Sequence, residues 1–487
     1  MKGAGRRKED QISMNEHVTP PNGSSIASLA AWTLHTDAAY TTDLALRQAE
    51  LLTLDSIGCA FASHDAGSPR RVAALVQELG GNPQCAAIGQ GFRTSVLNAT
   101  LLNCALVRSL DFNDVQFIMK EGKLHVGGHC SDTLASALAV GEMIGAQGRD
   151  VLTAIIVGYE LFRRMRNLMP YSSIWDGTSA LGIVAAAMAG RLLKLDVEKQ
   201  TNALALAAAR CATPSIVRYG ELSGAKNMVS AFTAQQGVQA ALLASKGMTG
   251  PKQILDHKWG LTTVFDPALG IQDLWAPITD TLYIMDSHVK TYACIGTAQS
   301  EIVAALQARD MVRGRIDQIE AIDVTMADLP IIRKQQAEVH RLTPSTRETA
   351  DHSFTFLPAV VLIDGTLTKK QFENQRWDEP VTKALTAKVR LSVSSELAAS
   401  APTAMPCNLK IHLAGGEIIE TECLYPPGHS FPDRGLNRAP VVEKFTDITG
   451  GFMDRDAQQK LIDGLLDLRN AASITPIMGM LSAASKH

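Results

Sequence analysis

The chain has 487 residues, too many for one compact core, so two or three domains are expected. Hydrophobic residues make up 46% and charged residues 20%, the balance of an ordinary soluble globular protein. Lys and Arg total 46 against 49 Asp and Glu, a net charge of −3, so no strong positive field exists to collect nucleic acid or anionic membrane.

Residues 1–23 are polar and mixed in sign. They lack the apolar run of a signal peptide, and their acidic residues argue against a transit peptide, so they read as a disordered leader. The longest uncharged apolar runs, such as 179–190, fall short of the roughly 18 residues a membrane span needs. Eight cysteines are scattered without a CxxC pair, which points to reduced thiols in the cytoplasm and not to a disulfide framework.

Apolar residues at helical spacing predict helices over 26–34, 43–63, 68–79, 95–110, 131–144, 150–165, 178–193, 196–211, 226–245 and 253–259. Many are rich in Ala and Gly, whose small side chains let helix axes approach closely. After about residue 277 the texture changes. Alternation over 319–326, 387–394 and 409–423 predicts strands, the last folded at Gly415-Gly416 into a hairpin, with helices at 298–308 and 354–363 between them. Helical patterning returns over 442–481. The expected fold is mainly α with an α+β lid. A large helical domain over 24–284 is completed by a helical return over 425–487, and a smaller α+β domain over 285–424 is inserted between them.

The most informative stretch is 109–142, SLDFNDVQFIMKEGKLHVGGHCSDTLASALAVGE. An acidic turn, Asp111 to Asp114, leads into a polar loop broken by glycines, then GHCSD and an Ala-rich helix. Ser131 or Asp132 suits the N-cap. His129 then sits just before a helix N-terminus, where partial positive charge lowers an imidazole pKa and favours an anion. Carboxylates beside a titratable imidazole are the ordinary means of tuning a general acid or base, although a lone loop histidine is more often a surface residue. His125, His129 and Cys130 are close in sequence, but no second Cys/His cluster follows at ligand spacing, so no metal is expected.

Lys226 opens an otherwise small and apolar helix, where a lysine usually snorkels to solvent; its alternative is a carboxylate site. Lys290, in DSHVKTYAC, reads locally as an exposed hinge lysine, with a charge on the lid boundary as the alternative. PSTRETADHS, 344–353, is locally a helix start with first-turn acids. A Gly-rich phosphate loop, a nucleophile elbow and a dinucleotide fingerprint are all missing.

Taken together, LDSIGCA (54–60), LDFND (110–114) with GHCSD (128–132), the lysine before SAFTAQQG, KTYAC and TRETADHS with the following LIDG (362–365) resemble the MmgE/PrpD family of 2-methylcitrate dehydratases, cis-aconitate decarboxylases and iminodisuccinate epimerases. The resemblance runs from about residue 24 to 481. It implies a homodimer that acts on a di- or tricarboxylate without metal or organic cofactor. Carried across by motif, the catalytic positions are Asp111, His129, Lys226 and Lys290, with Asn113, Ser131 and Tyr292 as substrate contacts. The lysines would neutralise carboxylates, and His129, oriented by Asp111, would move the proton. The chain departs from the family where relatives often carry histidine: Gly177 follows Trp-Asp, and Ile295, Gly296 and Thr297 follow the junction lysine. Cys130 also replaces the proline of GHPSD. The expected activity is a hydro-lyase on a 2-methylcitrate-like acid. The alternatives are a cis-aconitate-type decarboxylase, a dicarboxylate epimerase, or a catalytically idle tricarboxylate binder.

Overall fold

The computed structural model describes residues 24–35, 40–120, 123–170, 174–210, 212–261, 264–265, 270–278 and 281–483; the expected leader lies outside them. The chain is mainly helical with a small α+β portion. Helices α1 (Ser25–His35), α2 (Asp43–Ala62), α3 (Gly67–Leu79) and α4 (Val96–Arg108) come first, with a two-residue ladder of β1 (Cys85–Ala86) and β2 (Arg93–Thr94) before α4. Thr42 and Ser95 cap α2 and α4, each accepting a bond from a first-turn N–H, as short oxygen-bearing side chains do. Nearly every residue of α2 is buried.

After the hairpin β3 (Gln116–Lys120) and β4 (Lys123–Gly128) follow α5 (Leu134–Ile144), α6 (Gly148–Leu168), α7 (Leu181–Leu192), α8 (Val197–Ala208) and α9 (Ala225–Ser245). The close approach expected of small residues is realised between α7 and α9. A Cβ placed on Gly237 would lie 2.1 Å from the carbonyl oxygen of Gly182. One apolar core joins these helices to α15 (Arg438–Thr449), α16 (Arg455–Leu466) and α17 (Thr475–Ala483), through Val441, Phe445, Leu461, Leu465 and Leu481.

A second core lies under a four-stranded sheet of order β6-β5-β7-β8, where β5 (Ile319–Ala327) pairs parallel with β6 (Val389–Ser394) and antiparallel with β7 (Cys407–Leu413), which pairs with β8 (Ile418–Cys423). Helices α10 (Gln299–Val312) and α14 (Phe356–Asp364) bury Ile302, Ala305, Phe356, Leu357 and Val361 there. Between β5 and α14 run the short α11 (Pro330–Ala337), α12 (Val339–Leu342) and α13 (Arg347–Ala350).

Three local expectations are corrected. Residues 253–259 form successive turns, not a helix. The chain bends back so that the Leu261 N–H reaches the Ile254 carbonyl at 2.8 Å. The polar stretch after Asp114 is not a loop but the β3–β4 hairpin, whose Val115, Phe117 and Leu124 enter the second core. Its glycines mislead because Gly128, at φ 111°, serves close packing: a Cβ there would lie 2.8 Å from the Phe162 ring. Finally, neither Ser131 nor Asp132 is an N-cap. A 3-10 turn, Cys130–Thr133, precedes α5; its cap position is His129, and the cap position of α5 is Thr133, both without a side-chain capping bond.

Candidate active site

Asp111 follows closely on α4 and takes the left-handed conformation, φ 50°, which aspartate tolerates better than most side chains. The residue is 3% exposed, and its carboxylate gathers basic side chains from four places in the chain. Arg108, at the end of α4, donates to it at 2.8 Å. Lys226, in the first turn of α9, donates at 3.1 Å. Lys290 donates to the carboxylate and, at 2.7 Å, to the Asp111 carbonyl. His352, just after α13, brings Nε2 to 3.3 Å. Burial opposes an ionised Asp111, but Arg108, Lys290 and Lys226 hold its carboxyl well below the usual range.

Both lysines are therefore ion-paired in the interior. Lys226 does not snorkel, and Lys290 is no exposed hinge residue: they are 2% and 1% exposed. Burial lowers the Lys226 pKa against the pull of Asp351 and Asp111.

His129 is oriented differently from expectation. Its Nδ1–H donates to the backbone carbonyl of Asp114, while Nε2 lies 3.9 Å from Asp111. A carbonyl only accepts, so Nδ1 carries the proton and Nε2 keeps its lone pair. Burial, followed by Arg108 and Lys290, pushes the imidazole pKa well below its ordinary value. The result is a neutral base in a cationic setting.

His352 bridges two carboxylates, with Nδ1 on Asp351 and Nε2 towards Asp111. Burial and then Lys226 nevertheless hold its pKa down to about 4. Asp351 also accepts from Arg347 at 3.1 Å. The acidic turn is pinned from the far end of the chain, since Lys444 on α15 donates to the Phe112 carbonyl at 2.7 Å and to Asp55 on α2 at 2.6 Å.

Asn113, Ser131 and Tyr292, the expected substrate contacts, do not line the cavity beside this cluster. Asn113 spends its amide on Ser131 at 2.7 Å and Asp132 at 2.8 Å, and the Ser131 hydroxyl donates to Asp114. Both residues are fully buried bracing between the acidic turn and the segment after His129. Tyr292 packs on the second core, its segment tied down by the Gln299 side chain.

A cavity of about 320 Å³ opens beside this cluster. Asp111, His129, Lys226, Arg108, Asp132 and His352 line it; Lys290 lies behind Asp111 and does not. Gly177, Ile295 and Gly296 also line it, so the positions where relatives often carry histidine face the cavity, except Thr297, which bonds Gln335 at 2.9 Å. The remaining wall holds Arg166, Asp176, Arg218, Lys334, Glu338 and Arg341, none of which local sequence pattern singles out. Arg218 pairs with Asp176 at 3.0 Å and Arg341 with Glu338 at 2.7 Å. Of the described residues, six Lys and Arg side chains face four Asp and Glu among apolar residues such as Phe162, Leu181 and Ile331, and this net positive lining suits a small polyanion. Among the described residues, no group of three or more His, Cys, Asp or Glu side chains is placed to hold a metal ion.

This geometry agrees with the comparisons to known proteins. The chain is 23% identical over 489 residues to a cis-aconitate decarboxylase-like protein, oryM, of Aspergillus oryzae, covering 95% of this chain and 98% of that protein. It is 24% identical to the cis-aconitate decarboxylase of Mus musculus, over 90% of each chain. It is also 24% identical to the 2-methylcitrate dehydratase of Cupriavidus necator, over 78% of this chain and 80% of that protein. The MmgE/PrpD N-terminal domain model matches residues 27–271 and the MmgE/PrpD C-terminal domain model residues 292–468, and the chain therefore belongs to the MmgE/PrpD family.

Proposed function

We propose that this protein is a lyase of citrate-like tricarboxylic acids, and specifically a hydro-lyase that dehydrates a 2-methylcitrate-like substrate. The observation that carries this reading is His129, a half-buried imidazole on the cavity wall whose tautomer leaves Nε2 free beside Asp111. In dehydration, Nε2 takes a proton from the carbon next to a carboxylate. The C–H electron pair forms the double bond, the C–O bond breaks, and the departing hydroxide takes a proton from the Lys226 ammonium, whose lowered pKa makes it the better acid. Asp111 lies between His129 and Lys226, which suits return of the proton from one to the other. Arg108, on the cavity wall, stabilises the negative charge that develops on the substrate carboxylate, while Lys290 acts from behind by holding Asp111.

A second reading is favoured by the decarboxylases among the relatives. There the bond to a carboxylate breaks, CO₂ leaves, and Lys226 protonates the carbon left behind. The family resemblance further supports a homodimer, and the free, buried cysteines support a cytoplasmic location. Residues of both cores line the cavity, which supports a lid role for the second core.

Proton NMR in D₂O with 2-methylcitrate, citrate and cis-aconitate in separate tubes tests the assignment. Vinylic signals growing from 2-methylcitrate support dehydration. Itaconate growing from cis-aconitate, with the citrates inert, replaces it with decarboxylation. Deuterium entering a C–H position with no other change would mark an epimerase, and three silent tubes would leave a binder.

A further inference from the structure

Arg166, near the end of α6, stands apart from the other arginines on the cavity wall. Its guanidinium donates to the carbonyls of Gly127 at 2.9 Å and Val126 at 3.4 Å and to the Met169 sulfur at 3.3 Å. Among the described residues, no carboxylate lies within ion-pair distance of it. Arg108, Arg218 and Arg341 all have such partners. The direct contacts of Arg166 are all neutral acceptors, and the Asp176 carboxylate that acts on it from a distance is already paired with Arg218; a carboxylate is the ligand that the planar guanidinium fits best.

Gly177 makes the space for this guanidinium. A Cβ at 177 would lie 2.7 Å from Arg166 Cζ and 2.9 Å from both Nε and Nη1. The backbone cannot retreat, because the adjacent Asp176 side chain caps the turn at Thr178 and is clamped by Arg218. Neither can the guanidinium move without losing the β4 carbonyls. A side chain at 177 and an arginine seated here therefore exclude each other. From α12, Arg341 adds a second guanidinium to the wall, 8% exposed and with Nη1 unpartnered.

We infer that Arg166, seated in the space left by Gly177, binds a third carboxylate of the substrate and so selects tricarboxylates over dicarboxylates. The inference rests on the tricarboxylate reading above. It adds a specificity determinant that acts on binding and not on the proton transfer.

Calorimetric titration tests it with two inert ligands: tricarballylate, and glutarate, which is the same chain without the central carboxylate. Wild-type protein should bind tricarballylate at least about tenfold more tightly, since a charged hydrogen-bonded pair is involved. Arg166→Gln should lose about tenfold on tricarballylate and little on glutarate, and Arg166→Lys should recover part of the loss. Gly177→Ala, which displaces the guanidinium without removing it, should show the same selective loss. Variants that bind tricarballylate as wild type does, or lose both ligands equally, would overturn the inference; equal loss would mean that Arg166 acts only by bracing β4. Wild-type protein that binds neither ligand would overturn the tricarboxylate reading itself, and this inference with it.

Discussion

Asp111 holds the site together by being outnumbered. Arg108, Lys226 and Lys290 all converge on one carboxylate, with Asp132 and Asp351 as further partners of Arg108 and Lys226, so the cations are held in place before a polyanion arrives. Its left-handed backbone is an unusual conformation for a non-glycine residue, of the kind that persists where the surroundings over-determine it, and the Lys290 bond to its carbonyl is part of that restraint. His129→Asn retains a donor towards the Asp114 carbonyl but removes the free Nε2. Turnover should fall by roughly a hundredfold to ten-thousandfold with little change in melting temperature. Undiminished turnover would remove His129 from the chemistry. His352 carries a pH signature. Its native pKa of about 4 lies below the roughly 6.5 of an unfolded imidazole, so between these values the native state binds fewer protons. The corresponding stability is present above about pH 6.5 and is lost as pH falls through 4. The melting-temperature difference between wild type and His352→Asn should therefore shift in favour of wild type as pH rises from 4 to 6.5 and then level off. A difference independent of pH would rule this out. Asp114, which burial raises to about 6, titrates in both proteins and cancels.

At the scale of elements, α15 reaches across the helical core so that Lys444 can hold both Asp55 and the Phe112 carbonyl. Lys444→Met would strand a buried carboxylate whose pKa burial already raises, at a cost of roughly 3–5 kcal/mol in chemical denaturation. Lys444→Met combined with Asp55→Leu should recover much of that loss; a double variant as weak as the single would show that the pairing is not the cause. The sequence made many helices legible because their apolar spacing is local, and the residues Asp111, His129, Lys226 and Lys290 through their resemblance to the family motifs, since local pattern alone read Lys226 as snorkelling and Lys290 as an exposed hinge residue. The hairpin after Asp114 was hidden because both its faces are covered, so no clean alternation survives. Arg166, Arg218 and Arg341 were hidden for another reason. An arginine in a charged helix segment such as RRMRN reads as a solvated face, and its role becomes visible only when Gly177 and the β4 carbonyls are brought against it.

For the whole molecule, the cavity lies between two cores, with His129 and Lys226 on one side and Ile295, Ile331 and Arg341 contributed from the stretch that carries the other. If the second core closes as a lid, tricarballylate should slow amide exchange in α11 and α12 while leaving β7 and β8 unchanged. Equal protection everywhere would argue for general stabilisation instead. The proposed homodimer should scatter light as twice the 52.2 kDa chain mass, and a particle of single-chain mass would refute it. The reach of Lys444 also bears on how the protein is made. The acidic turn leaves the ribosome long before Lys226, Lys290, His352 and Lys444, in that order. Asp111 has Arg108 from the start and gains its other partners in turn, but until Lys444 has emerged and docked the Phe112 carbonyl and Asp55 lack theirs, so nascent or truncated chains cannot carry a finished site. Activity thereby doubles as a completeness check on synthesis.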